Sequence, residues 1–429
     1  MEGVSKMNVA ILTNFQDFNP GYSLTSIVQD QIEMLTRHGN KVHLFVCEVY
    51  NEAYDPPWPK SLAVHKVTPF GDLIDYKKKA DMSKEHYGLA EKTRDVLNET
   101  FNKLNIDIAF THDWIFTGWN LPYARGIAMA TGTLRDIRWL HWVHSVPSQK
   151  YDWWKIKEYG KQHKIIFPNS TDALRVAEAF QGELEDVRVI PHIKDLRTFY
   201  GFHTDTCKFI DDYPNVMQAD IVQIYPASTD RLRAKGIDIL CDIFGAIKER
   251  GLKVCLVIAN QWATGKDRKE SLDKYYKLAA RKGLSRDSEF IFTSEWDKRF
   301  ETGIPRSMLR ELLLCSNLFI FPTMEESFGL VGPEAALAGN FMVLNYSLYM
   351  MREVFGGIGL YHDFGSFHNA FTPPHKDYYK ELSTIILGRM YNNEAVRTKT
   401  FCRKTYNMDA LYLNIYEPLM MESETWLDK

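Results

Sequence analysis

Short, unbroken apolar runs recur along this chain, separated by stretches with helical amphipathicity. Val9-Ala-Ile-Leu-Thr13 is apolar without alternation, as expected of a strand buried on both faces. A Pro20-Gly21 turn follows. Leu24, Val28, Ile32 and Leu35 then share one helical face, with Gly39 placed to end the helix. Val42–Val46 reads as the next strand. Ile106–Phe110, Trp139–Val143 and Ile165–Phe167 continue the series to Val187–Ile190, which Pro191 stops. From about Leu196 to Asp220 the rhythm is lost, and His, Asp, Thr and Pro predict a connection between domains. The pattern restarts at Ile221–Tyr225. Next comes a helix that turns Ile237, Leu240, Ile243, Phe244 and Ile247 to one side and closes at Gly251. Lys253–Ile258, Glu289–Thr293, Leu318–Phe321 and Phe341–Leu344 are further strands, and Tyr378 onward reads as helices, with Tyr412–Met421 a final amphipathic one.

Strands alternating with helices predict parallel βαβ units and doubly wound sheets. A chain of 429 residues exceeds one ordinary core. The expected class is therefore α/β, with two Rossmann-like domains facing each other across a cleft. The divisions expected are an acceptor-side domain over 1–200, a donor domain over 201–400, and a helical segment over 401–429 that packs back on the first domain. Ligands of such sheets bind beyond the carboxyl ends of the strands.

Composition narrows the class only slightly. The net charge of −3 gives no support to a general polyanion binder. No run approaches the roughly 18 apolar residues that cross a bilayer, and the first residues lack the apolar core of a signal peptide. The six cysteines are scattered, with no Cys-x-x-Cys pair, which suits reduced thiols. A cytoplasmic location is the expectation, with peripheral membrane contact left open.

Two segments carry candidate chemistry. Glu326-Ser-Phe-Gly-Leu-Val-Gly-Pro-Glu334 follows an apolar strand and leads into the helical run Glu334–Ala338. Pro333 suits a first helical position. The amides of Leu330, Val331 and Gly332 would then face an anion beyond the helix start. A carboxylate can accept two hydroxyl donors, so Glu334 suits a ribose diol and Glu326 the hydroxyls of a sugar. Taken alone, Glu334 reads sooner as a helix-start acid and Glu326 as a solvated loop residue. The second segment, Ile224–Asp238, places Arg231, Arg233 and Lys235 within five residues after a strand. Cations there could neutralise a leaving diphosphate, or simply be a solvated loop.

Together, Asp-Arg-Leu-Arg-Ala-Lys-Gly-Ile-Asp238 and, about 90 residues later, Glu-Ser-Phe-Gly-Leu-Val-Gly-Pro-Glu-Ala335 resemble glycosyltransferase family 4, retaining enzymes of the GT-B fold. Asn8–Leu12 with Pro20-Gly21, His38–Val42, Ile106–Asp113, Trp142–Ser145, Ile165–Ser170 and Val189–Pro191 extend the resemblance from Met7 to about Gly359. It implies a sugar donor linked to UDP or GDP and no cofactor. Lys235 with Arg231 or Arg233 should bind the diphosphate. Glu326 should contact the donor sugar, with Phe328 and Gly329 in the same loop, and Glu334 the ribose. Leu330 and Val331 should cap the phosphates, and Gly21 should let the first loop approach them. His144 would lie near the transferred sugar, as a neutral imidazole or through its carbonyl. The residues alone leave it equally a hydrogen-bonded strand-end histidine.

The chain departs from the family pattern at Pro191-His-Ile-Lys-Asp195, in a basic loop about one residue short, and at Asn260-Gln-Trp262 in place of a Gly-rich turn. There is no Asp-x-Asp, and no cluster has metal-ligand spacing, so no metal is expected. The acceptor stays open among glycan, lipid, small molecule and nucleic acid. Trp114, Trp119, Trp139, Trp142, Trp153 and Trp154, with Lys150, Lys155, Lys157, Lys161 and Lys164, suit stacking on sugars or bases. They suit a tryptophan core and a solvated helix face as well, or a basic helix on anionic lipid. The rival functions are a transferase acting on hydroxymethylated DNA bases, a non-catalytic nucleotide-sugar binder, and a glycoside hydrolase using Glu326 and Glu334.

Overall fold

A computed structural model describes residues 6–68, 81–115, 120–147, 150–151, 154–159, 162–261 and 268–422. Trp119, Trp153, Lys161 and Trp262 lie outside them. The chain divides into two compact units, Met1–Lys194 with Met408–Lys429, and Asp195–Asn407. The division falls at 194/195, where the sequence reading put it at 200/201, and the C-terminal return starts at Met408.

The first unit is a seven-stranded parallel sheet of β1 (Asn8–Leu12), β2 (Lys41–Cys47), β3 (Ala63–Thr68), β4 (Ile108–His112), β5 (Arg138–Trp142), β6 (His163–Phe167) and β7 (Val187–Val189), ordered β3-β2-β1-β4-β5-β6-β7. Successive strand residues feed opposite cores. Ala10, Leu12, Ala109 and Trp139 pack on one side, and Val9, Ile11, Phe110 and Leu140 on the other. That is why the central strands read as largely apolar runs without alternation. The C-terminal return completes the second of these cores with Met408, Tyr412, Tyr416 and Leu419.

Two expectations shift here. β4 starts at Ile108, two residues late, because Asn105 takes a left-handed φ of 50° to end the helix Lys84–Leu104. The final helix is not continuous either. Tyr412–Tyr416 forms a wide π turn, with Glu417 N–H bonded to the Tyr412 carbonyl, before Glu417–Met421 resumes as α-helix. Pro418 has no N–H to give the carbonyl four residues back, which favours the wider turn.

The second unit holds β8 (Ile221–Ser228), β9 (Val254–Gln261) and β10 (Phe290–Phe292), ordered β10-β9-β8, and β11 (Leu318–Phe321), β12 (Phe341–Asn345) and β13 (Leu360–His362), ordered β11-β12-β13. The pairings are parallel. β8 and β11 meet side by side, joined chiefly through side chains. The Gln223 amide donates to the Ile320 carbonyl (2.8 Å) and accepts from its N–H (3.0 Å). At the other end Asn317 exchanges bonds with Val222. Both units are therefore wound outward from a switch point, β1/β4 in the first and β8/β11 in the second, where such folds bind ligands. Each is α/β and Rossmann-like.

The stretch expected to be a connection is instead helical and belongs to the second unit: Leu196–Tyr200, Thr204–Asp212 and Asn215–Gln218. Helices of five, nine and four residues are too short to show a period. A carboxylate far along the chain fixes the start of the second: buried Glu311 accepts from the His203 N–H (2.9 Å) and the Thr206 hydroxyl (2.5 Å). Among the described residues no helix is long and apolar enough to cross a membrane.

Candidate functional site

In the second unit the switch point is flanked by the loops after β8 and β11. The first passes through Thr229–Arg231 and reaches Gly236, whose φ of +70° reverses the chain into the helix Ile237–Lys248. A Cβ on Gly236 would stand 2.8 Å from the Pro322 ring and carbonyl, so only glycine lets the two loops meet. They are tied by the Met324 N–H to the Ala234 carbonyl (2.8 Å), and the Tyr225 hydroxyl donates to the Lys235 carbonyl (3.1 Å).

This closeness brings Lys235 Nζ to 2.5 Å from Glu326 Oε2, with both side chains mostly buried at 16% and 20% exposure. Arg231 pairs instead with Glu325 (2.9 Å), nearer the surface. Arg233 is exposed, and its charge is felt by Asp238 and Tyr275. Gly329 turns the second loop at φ +71°, packed so closely on Phe321 and the Glu326 stem that a Cβ would clash. Phe328 and Leu330 project outward, 51% and 67% exposed.

The helix that follows spans Val331–Leu337, so Pro333 is its third residue rather than its first. The Gly329 turn closes early, with Gly332 N–H bonded to the Gly329 carbonyl (2.8 Å). The Gly332 amide is thus engaged within the turn, and only Leu330 and Val331 keep the expected position ahead of the helical bonds. Glu334 pairs with Arg306 (2.9 Å) on the helix Arg306–Cys315, apart from the Lys235–Glu326 contact. Beside Glu326 opens a cavity of about 460 Å³ walled by Tyr346, Tyr349, Phe367, Asp363 and Ser366. Aromatic faces among hydroxyl and carboxylate groups suit a sugar. A larger hollow of about 1090 Å³, beside Asp220, Arg250 and Lys404, lies at the amino ends of the strands and holds none of these groups. Asn260, expected to alter a glycine turn, is fully buried and staples the strand tips through Thr229 and Ser294.

In the first unit Gly21 sits in an exposed turn, its N–H held by Asn19 Oδ1 (2.9 Å). His144 follows β5. Its N–H bonds Asp113 Oδ1 (3.0 Å), its Nε2 lies 3.0 Å from His112 Nδ1, and the His192 ring stacks at 5.2 Å. Burial, reinforced by the neighbouring His192, pulls the His144 imidazole down to about 3, so it is neutral. Burial pushes the Asp113 carboxyl up to about 6, against the pull of the His144 N–H. Sequence reasoning assigned no role to His112, Asp113 or His192. The signals were there: Thr-His-Asp at a strand end, and His192 where the family pattern has another residue.

The four described tryptophans of that set are core. Trp139, Trp142 and Trp154 are essentially unexposed and Trp114 is 3% exposed, so none of the four offers a stacking face. Lys155 and Lys157 pair with Glu158 and Glu183, and Lys164 donates to the Glu185 carbonyl. Only Ile156–Glu158 is helical there, so the described residues form no long basic helix. The histidines of Trp139–His144 separate: His141 bonds Thr111 and His163, while His144 meets His112. Among the described residues no group of three His, Cys, Asp or Glu side chains is arranged to hold a metal.

No protein-family description matches the sequence, and no curated protein is significantly similar to it. Solved structures are similar over nearly the whole length at low identity. A glycosyltransferase from Rickettsia africae ESF-5 is 11% identical, with 98% of this chain and 100% of that one covered and a TM-score of 0.37. Sucrose-phosphate synthase from Thermosynechococcus elongatus is 16% identical over 96% and 98%, TM-score 0.34. The lipopolysaccharide outer core galactosyltransferase WaaB is 13% identical over 96% and 99%, TM-score 0.35. Likeness at this level identifies no donor and no acceptor.

Proposed function

We propose that the chain is a retaining glycosyltransferase of the GT-B, family 4 kind, moving a sugar from a UDP- or GDP-linked donor to an acceptor hydroxyl. One observation carries the reading. An ammonium and a carboxylate 91 residues apart in sequence meet at a strand switch point, on two loops held together by a glycine. A diphosphate is a natural partner for the first and a sugar's hydroxyls for the second. In this reading Lys235, with Arg231 or Arg233, stabilises charge as the bond from the anomeric carbon to the diphosphate oxygen breaks. Glu326 orients the sugar and Glu334 takes the ribose diol after exchanging its Arg306 partner. Phe328, Gly329, Leu330 and Val331 shape the loop against the phosphates, and Gly21 and His144 serve from the first unit. The acceptor oxygen attacks the face the diphosphate leaves, and a diphosphate oxygen takes the acceptor's proton. The loop cations supply the positive charge, and no metal is invoked.

Donors are screened first by thermal shift, because bound donor stabilises the folded state. With the best donor, Lys235→Ala and Glu326→Ala should each lower transfer by roughly 10²- to 10³-fold with the fold intact. Near-normal turnover by either folded variant refutes the assignment.

A further inference from the structure

A cavity of the first unit opens at the amino ends of its strands, away from the carboxyl ends where such sheets take their usual ligands. It holds about 430 Å³ and is framed by the end of the helix Leu121–Thr131, the turn before β5 and the start of β6. Hydrogen-bond donors dominate its wall: Arg125, Arg135, Tyr159, Gln162 and His163, with Glu158 the one carboxylate among the described residues. Arg135 is exposed and anchored by its Nε to the Gly132 carbonyl (3.1 Å). Arg125 is half-buried. Its guanidinium bonds the Tyr159 phenol, and its Nε is buried with no hydrogen-bond partner among the described residues. Glu158 is drawn off by Lys155 (3.6 Å). Two guanidiniums therefore line a space that offers them little opposing charge.

His163, 3% exposed, carries a line of bonds inward from the cavity. Its Nδ1 lies 2.9 Å from His141 Nε2, and His141 Nδ1 lies 2.9 Å from the Thr111 hydroxyl. His163 Nε2 is the ring nitrogen left for the cavity. Burial holds both rings neutral, so each has one N–H. The line then has two forms. If His163 Nε2 is protonated, His141 donates to His163 and Thr111 to His141. If it is bare, every bond runs the other way. A hydroxyl serves in either direction, so the choice falls to whatever sits beside His163.

We propose that this cavity binds a small phosphomonoester, whose phosphate oxygens accept from Arg125, Arg135 and the Nε2–H of His163. A phosphomonoester carries nearly two negative charges at neutral pH, a match for two guanidiniums. The space is that of a small-molecule pocket, with Gln162 placed for the organic part. The site belongs to the first unit alone and does not rest on the transferase reading.

Calorimetric titration of the full chain with glycerol 3-phosphate and with inorganic phosphate, in chloride at constant ionic strength, tests it. Both should bind saturably. Arg125→Gln and Arg135→Gln should each weaken binding about tenfold or more, the worth of one charge-assisted bond. Arg135 is exposed, so its variant decides the matter even if Arg125→Gln fails to fold. Lys235→Ala, in the second unit, should bind as the unmodified chain does. With ¹⁵N-histidine, His163 (assigned through His163→Gln) should be protonated on Nε2 at saturation. Absence of saturable binding overturns the proposal, as does His163 Nε2 bare at saturation. Unchanged affinity in the folded Arg135→Gln chain does so too, and loss of binding in Lys235→Ala moves the anion to the candidate donor site. Malonate binding more tightly than glycerol 3-phosphate overturns the phosphate assignment.

Discussion

Asp113→Asn should make this protein more stable at neutral pH. Asp113 follows β4 in a left-handed conformation (φ 57°), and its carboxylate accepts the His144 N–H at 3.0 Å. Burial raises the carboxyl from 3.8 to about 6, a displacement opposed by the His144 N–H. Two pH units at about 1.4 kcal/mol each give roughly 3 kcal/mol held against folding once the group is ionised. The sign follows from proton counting. Between about pH 4 and 6 the folded chain keeps a proton that the unfolded chain has released, so stability falls as pH rises through this window and stays lowered above it. Asparagine accepts the same N–H, tolerates positive φ and carries no charge. The expected gain for the first unit is therefore up to about 3 kcal/mol at pH 7, or some 6–10 °C in Tm for a unit of about 200 residues, fading to nothing near pH 4. Urea and thermal unfolding of both chains from pH 4 to 7 measure it. Histidines 112, 144 and 192 also weaken the fold in acid, but equally in both chains, so the difference isolates Asp113. A variant less stable at pH 7, or a difference constant with pH, refutes the reasoning. Transfer by the more stable variant should fall, as expected where a charge is kept at the expense of stability.

Two further substitutions test the second unit. Glu311 is fully buried and takes bonds from the His203 backbone and ring, Thr206 and Arg310. Burial raises its carboxyl, but the Thr206 and His203 bonds outweigh this and hold it below the usual range. Its stabilisation is accordingly complete above the ordinary carboxyl range and lost as pH falls through the lowered folded value. Glu311→Ala should cost about 3 kcal/mol in urea unfolding at pH 7, and less in acid; a loss under 1 kcal/mol would contradict this. Gly236→Ala combines a φ of +70° with a Cβ 2.8 Å from Pro322. It should cost about 1–3 kcal/mol and weaken donor binding by displacing Lys235, and unchanged Tm and donor KM would show the loop tolerates a side chain.

The sequence was most informative where burial is two-sided. β1 and β11 announce themselves as solid apolar runs and β2, β5 and β6 as apolar runs with a histidine or lysine among them, and Gly39 and Gly251 end the helices where their positive φ is needed. β3 alternates with His65 and Lys66, β13 has only three residues, and both were missed. The loops bearing Lys235 and Glu326 were recognisable because residue type and spacing state their chemistry, but not that the two groups touch. The arrangement around His144 was hidden for another reason. Its partners come from a helix near the start, two strand ends and the chain's last turns, and no local spacing reports a contact between residues 31 and 416.

Gln223 joins the strands that carry those loops, and its nature sets how the second unit's site can deform. A backbone ladder holds at every residue, whereas here a single buried side-chain amide spans from β8 to Ile320 where ladder bonds would run. The next ties are Asn317 to Val222 at one end and Met324 to Ala234 at the other. Lys235 and Glu326 ride on opposite sides of this join. No continuous ladder runs between β8 and β11, so the length of the residue 223 side chain becomes a gauge for the gap between the loops that carry ammonium and carboxylate.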